Sequence, residues 1–304
     1  MSLVNKTKTA LDESRMLMLG AQVLLGFQFQ APFQNAFSGL SSLEKTLELV
    51  VLAIILGVVG LLITPSSYHR IALAGEASRE LLLLIDRIAI ATLALFAVAM
   101  GIDLGLAGSR IAGAAVGTLA AAIGCAACAA LWLGPCLARD RREEMPTSHE
   151  KTPMEAKIDY ALTEARVVLP GAQALLGFQL AIVLTQTFAE LPSSLKMIHG
   201  LGLALIAIAT ALLIAPAAYH RIAYGGRDDP AFHTLSSRLI LLATAFLALG
   251  ISADAYLVAT QIAGDDAFPG AFAVVTAASL LGFWHAWPWL MRRRTAPVGT
   301  RGTD

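Results

Sequence analysis

The chain has 304 residues, 57% apolar and 14% charged, with a mean hydropathy of +0.68 and a formal net charge of zero. An ordinary soluble domain carries about 25% charged residues, so this composition excludes one, and the absent net charge argues against a nucleic-acid partner. No Asp, Glu, Lys or Arg occurs from Met16 to Leu43, Ile111 to Ala138, Val167 to Ala189 or Met197 to His220. About 20 apolar residues in a helix cross a ~30 Å hydrocarbon core. In lipid the backbone must satisfy its own hydrogen bonds, and the alternating polarity of a membrane barrel is missing. The expected fold is all-α and polytopic.

In chain order, the first span is expected over 16–38. It opens on Glu13-x-Arg15 and carries Gln22, Gln28, Gln30, Gln34 and Asn35. The second, expected over 47–66, is closed by Pro65-x-x-Tyr68-His69-Arg70. The third, 84–106, runs from Arg87 to Asp103; those 16 residues are about 24 Å of helix. The fourth, 111–137, is rich in alanine and holds all three cysteines. Cys125 and Cys128 form a C-x-x-C, but no second pair or histidine completes a metal site, so small-residue packing is expected. Gly101-x-x-x-Gly105 and Gly113-x-x-x-Gly117 favour close helix approach. Residues 139–160 are charged, contain Pro146 and Pro153, and read as a linker. Four more spans follow, over 167–188, 196–216, 235–260 and 268–291, and then a short tail from 293 to 304.

The second half repeats the first. A shift of 151 positions places Glu13 and Arg15 on Glu164 and Arg166, and Gly20-Ala21-Gln22 on Gly171-Ala172-Gln173. It places Leu24-Leu25-Gly26-Phe27-Gln28 on Leu175-Leu176-Gly177-Phe178-Gln179, and Tyr68-His69-Arg70 on Tyr219-His220-Arg221. Arg87 falls on Arg238 and Asp103 on Asp254. Residues 1–138 and 161–292 are therefore read as two four-helix repeats. An even number of helices per repeat makes the copies parallel, about an axis along the membrane normal, unlike an inverted repeat.

Basic residues set the orientation. Nineteen lysines and arginines fall on the side of the termini and the linker, and three, Lys45, Arg110 and Lys196, on the other. That split predicts both termini in the cytoplasm. Trp132, Trp284, Trp287 and Trp289 fall at helix ends on the same side, where amphipathic rings settle. No short apolar core with a cleavage site stands at the N-terminus, so no removable signal peptide is expected.

Each candidate functional residue has two readings. Gln22, Gln28, Gln173 and Gln179 are either interhelical glue or the lining of a polar path, since a buried amide needs partners. Tyr68-His69-Arg70 and Tyr219-His220-Arg221 are either anchors at the headgroup level or a functional cluster with a proton-relaying imidazole. Asp103 and Asp254 are intramembrane acids, costly there and functional by default, or near-interface acids reaching water. Glu13 and Glu164 suit helix N-termini and can also pair with Arg70 or Arg221 on the same face. Enzyme motifs are absent: there is no H-E-x-x-H, P-loop, G-x-S-x-G or dinucleotide fingerprint. Neither an enzyme nor a cofactor is expected. A haem between His69 and His220 lacks any support beyond their symmetry.

The islands Glu164-x-Arg166, Gly171-Ala172-Gln173-x-Leu175-Leu176-Gly177-Phe178-Gln179 and Ala215-Pro216-Ala217-Ala218-Tyr219-His220-Arg221-Ile222 resemble a family of small bacterial membrane proteins, frequent in actinobacteria, of unknown function. The first repeat departs from it at places, with Leu19 where the second has Pro170. The usual members resemble one four-helix unit, so this chain resembles a fused pair, an intramolecular pseudo-dimer in the bacterial plasma membrane. Some relatives carry a sodium/proton antiporter label.

These readings together predict a transport-like role, proton-coupled exchange or conduction of a small monovalent cation. Asp103 and Asp254 would admit it, the glutamines line the path, and His69 and His220 relay protons inside. The alternative is a non-transporting scaffold, lipid-binding or stress-protective module. The repeats are expected to meet through helices one and five, along Gly20/Gln22/Gly26 and Gly171/Gln173/Gly177.

Overall fold

The structure, a computed structural model, describes residues 3–138, 152–264 and 267–295. The first repeat consists of α1 Leu3–Gln30, α2 Ser42–Ile71, α3 Arg79–Ala112 and α4 Ala114–Ala138. The second consists of α5 Met154–Val183, the single turn α6 Gln186–Ala189, α7 Ser193–Ile222, α8 Pro230–Ala263, α9 Ala267–Leu281 and α10 Trp287–Thr295. A π-helical turn, Gly282–Ala286, joins α9 to α10. Eight helical stretches are long and apolar enough to cross a membrane, α9 and α10 together making the eighth. No strand occurs among the described residues.

Several helices outrun the apolar stretches that announced them. α1 and α5 begin at Leu3 and Met154, so α5 starts inside the segment read as linker. Nothing between Asn5 and Arg15 breaks a helix, and the added turns bury a face. Leu11 and Tyr160 pack with Tyr68, Leu81 and Ile85 into a small satellite core. At its other end α1 stops at Gln30, short of 38, because Pro32 enters a 3-10 turn and offers no amide to the helix. α2 opens on a capping box, with Ser41 accepting from the Glu44 amide and Glu44 accepting from the Ser41 amide. Neither α2 nor α7 ends at its proline. Both run through Pro65 and Pro216 to Ile71 and Ile222, since neighbouring helices shelter the one carbonyl that a proline leaves open.

The glycine pairs of the third and fourth helices act as expected. A Cβ at Gly101 would lie 2.8 Å from Cys125 Cβ, and one at Gly105 2.8 Å from Ala121 Cβ. α3 and α4 thus pack as a tight antiparallel hairpin, turned at Gly113 with φ +90°. In the second repeat the equivalents of Gly101 and Gly105 are Ser252 and Tyr256. α8 and α9 accordingly pack less extensively, and α9 leans on α2 of the first repeat as well.

The repeats join along two seams. The more extensive is α1 against α5. Gln22 fills the space over Gly171, and the Phe178 ring fills the space over Gly26. Phe27 and Phe178 meet with ring centroids 4.6 Å apart. The second seam sets α2 against α8, α9, the π-turn and α10. There Trp284, fully buried, donates from Nε1 to the Gly60 carbonyl at 2.8 Å. The expected rows are therefore half right: Gly20 and Gly177 face open space and Gln173 is exposed. α7 makes no comparable contact with the first repeat. The positions differ between the repeats: Ala211 stands at the position of Gly60, and Leu133 at that of Trp284.

Candidate functional site

The polar side chains gather at two levels. The proximal end holds the starts of α1 and α5 with the α2–α3 and α7–α8 turns; the distal end holds the α1–α2 and α5–α7 connections.

Near the distal end each repeat pairs an amide with a carboxylate. Gln28 Nε2 donates to Asp103 Oδ1 at 3.2 Å, and Gln179 Nε2 donates to Asp254 Oδ2 at 2.6 Å. The periodicity explains the match: Gln28 and Gln179 sit at the same register of α1 and α5, and the acids at the same register of α3 and α8. The burial differs. Asp103 is partly buried, whereas Asp254 is 2% exposed.

A third residue completes each cluster. His199 of α7 places Nδ1 3.8 Å from Asp254 Oδ1, while its Nε2 faces the Gln179 carbonyl at 3.0 Å. At 3.8 Å the pair is beyond direct hydrogen bonding, and neither Asp254 Oδ1 nor His199 Nδ1 has another partner among the described residues. Phe188 closes over the imidazole at 5.1 Å. Gly202 leaves room, since a Cβ there would lie 3.3 Å from Asp254 Oδ1. The position equivalent to His199 in the first repeat is Glu48. The second repeat thus sets an imidazole against its carboxylate, where the first carries a second carboxyl residue at the same register. Glu48 and His199 were missed from sequence because each lies at the edge of its apolar stretch. The 151-residue shift pairs them, but searching for identities hides a pair that differs.

The proximal cluster crosses the repeats. Glu164 accepts from His69 Nδ1 through Oε1 at 2.9 Å and from Arg70 Nη2 through Oε2. Arg70 Nη1 also donates to Ser237 Oγ at 3.2 Å. All three ionisable side chains are nearly inaccessible. Tyr160 lies edge-on to His69, and Tyr68 stacks on Trp287 at 5.2 Å. Beside this, Lys157 Nζ pairs with Glu76 Oε1 at 2.5 Å, and the Thr152 amide donates to Glu76 Oε2 at 2.9 Å. Burial raises the Glu76 pKa, but the bonds from Lys157 and Thr152 outweigh it and hold the carboxyl below its usual range.

The mirror image of that cluster does not form. Glu13, Arg166, Tyr219 and Arg221 are exposed, as are Arg87 and Arg238. His220 tilts against Phe232 at 4.8 Å. The Arg15 side chain lies outside the described residues. Gln22 is wholly buried in the α1–α5 seam, with no hydrogen bond to either amide atom among the described residues. The pairing of Glu164 with Arg70 follows the sequence expectation; the expectation that Glu13 pairs likewise does not hold. Between the two levels the core is mostly apolar, with Leu25, Ile55, Val168 and Leu175 among its buried members, and Gln22, Thr64 and Thr92 among the buried polar ones.

A duplicated all-helical bundle of membrane-crossing length, with an amide–carboxylate pair in each repeat, is the class that this geometry defines. The sequence profile of the Family of unknown function (DUF6328) matches the chain twice, over residues 5–135 and 149–288. The chain belongs to that family and carries its unit in tandem. No curated protein and no solved structure matches it.

Proposed function

We propose that the chain is a multi-pass protein of a bacterial plasma membrane, with both termini cytoplasmic, that couples proton binding to movement of a small monovalent cation. The orientation rests on the nineteen-to-three split of basic residues. The observation that carries the function is Asp254. Its carboxylate is buried, takes one amide donor, and leaves Oδ1 facing an imidazole nitrogen too far away to bond. A carboxylate so placed calls for a counter-charge: a proton, a cation, or the imidazolium of His199. Asp103 with Glu48 and Gln28 is the corresponding site of the first repeat, open to the outer side. His69 belongs to the inner cluster with Glu164, so in this reading it hands protons to the cytoplasmic face. The apolar core between the levels makes this conformation closed, and passage requires the repeats to shift along their seams.

The test is flux. Vesicles reconstituted with the chain and loaded with a pH-sensitive dye should show a cation-dependent pH change. Asp254→Asn should abolish it and Asp103→Asn reduce it. Vesicles showing neither a cation-dependent pH change nor a proton leak would remove the reading. The same packed core favours a second reading, a non-transporting scaffold in which the Gln–Asp pairs tie helices together; a silent flux assay with a stable chain would support it.

A further inference from the structure

We propose that the proximal end binds an anionic phospholipid in a cleft between the repeats. This inference rests on neither functional reading, because the cleft lies at the end of the bundle away from Asp254. The cleft has a volume of about 1070 Å³. Arg70, Lys157, His233, Arg238, His285 and Arg292 line it, and no Asp or Glu among the described residues does. Of these, Arg70 pairs with Glu164 and Lys157 with Glu76, and the guanidinium groups of Arg238 and Arg292 complete the basic lining that an incoming phosphate meets.

The cleft is graded along its length. On α8 its lining steps through His233, Ser237 and Leu241, one per turn, so polar groups give way to apolar ones over about 12 Å of helix. Leu241, Ala278 and Leu281 form the inner wall, and Trp289 stands at the mouth. A site basic at its outer edge and apolar one or two turns deeper matches a phosphate head with the start of its acyl chains, and a free inorganic anion would leave the apolar wall uncovered.

The π-turn builds the site. By inserting an extra residue in the turn it aims Trp284 at the Gly60 carbonyl on α2 while His285, the next residue, faces the cleft beside Thr244, with Nε2 3.3 Å from Oγ1. Single π-turns inside α-helices recur at functional sites. In the first repeat α4 packs chiefly on α3, so one such cleft per chain is expected.

Purified chain in a mild uncharged detergent should be titrated with phosphatidylglycerol, phosphatidylcholine and inorganic phosphate, following thermal stability. Phosphatidylglycerol should bind at least tenfold more tightly than phosphatidylcholine, and phosphate should not stabilise at matched concentration. Arg238→Gln with Arg292→Gln should cut that preference about tenfold. A photoactivatable phosphatidylglycerol on the unaltered chain should label the peptides around Arg238 and Trp289, a readout that survives if the double variant folds poorly. Equal binding of both lipids, equal stabilisation by phosphate, or labelling spread evenly over the helices would each overturn the proposal.

Discussion

Glycines equivalent in the two repeats should respond oppositely to alanine. Gly171 faces Gln22 and its equivalent Gly20 faces nothing within 4 Å; Gly26 faces Phe178 and its equivalent Gly177 faces nothing. At 171 the new Cβ would overlap the Gln22 amide, and turning that amide away does not help, because Gln22 Cβ lies 2.5 Å from the same point. At 26 it would overlap a ring whose partner, Phe27, holds it in place. Helix α1 or α5 must then move. Overpacking of this kind costs about 1–3 kcal/mol. Alanine in a helix otherwise gains about 0.5–1 kcal/mol over glycine, and that gain is all that positions 20 and 177 should show. The helix gain is common to both members of an equivalent pair, so they should differ by the overpacking cost, about 1–3 kcal/mol. At ~2–4 °C per kcal/mol for large domains, the thermal midpoints of the detergent-solubilised variants should differ by roughly 2–12 °C. Equal midpoints within each pair would refute the α1–α5 seam, since a symmetric interface treats equivalent glycines alike.

Other substitutions probe the proximal end. Glu164→Gln leaves Arg70 buried without its counter-charge and should destabilise by about 3–5 kcal/mol, whereas Glu13→Gln, at an exposed position, should change stability by less than about 0.5 kcal/mol; chemical unfolding in detergent reads both. Ala74 holds φ +50° where the second repeat has Gly225 at +59°. A left-handed non-glycine costs about 1–2 kcal/mol, so Ala74→Gly should stabilise by about 0.5–1 kcal/mol after the entropy of the added glycine, again seen in the thermal midpoint. The Glu76 carboxyl is held low, so its grip on Lys157 and Thr152 is fully present above the unfolded carboxyl value of about 4.3 and is lost as pH falls through the lower folded value. Exchange of the Thr152 amide, measured against its intrinsic rate, should quicken below about pH 4, and Glu76→Gln should quicken it at neutral pH; unchanged protection in both cases would discard the clip.

The repeat and the spans were legible because their signals are local. Charge-free runs mark spans, and a fixed shift marks a duplication wherever residues stay identical. Gly101, Gly105 and Gly117 announced the α3–α4 hairpin because close approach demands small residues there. Helix ends were read less well. Charged turns such as Asn5–Arg15 fell outside the apolar span expected over 16–38, yet Leu11 gives them a buried face that only the satellite core reveals. The Asp254 cluster was half visible. An acid in an apolar stretch stands out, but His199 lies on another helix near a span edge, and only packing of α5, α7 and α8 brings it to Asp254. The cleft was not visible at all. Its basic residues belong to four separated segments, and the turn that assembles it is a π-bulge, whose extra residue leaves no distinct pattern in composition.

The asymmetry of the two repeats follows from fusion. In a homodimer of one unit every cross-pair occurs twice, so a glutamate bound to His69 and Arg70 would be matched by Glu13 bound to His220 and Arg221. Here the first pairing is buried and the second is absent, with Glu13 and Arg221 exposed. A covalent link removes the need for both surfaces to serve both partners, and each seam can then specialise. Gly60 takes Trp284 while Ala211 takes nothing equivalent, and Asp254 faces His199 where the first repeat has Glu48 at the same register. Two carboxylates side by side repel unless a proton or cation intervenes, whereas a carboxylate beside an imidazole supplies its own counter-charge once that ring is protonated. The two distal sites therefore differ in what they ask of the medium. The first needs a bound cation or proton to be neutral, and the second can be neutralised by its own histidine. That difference is what separates the distal ends of the two repeats chemically.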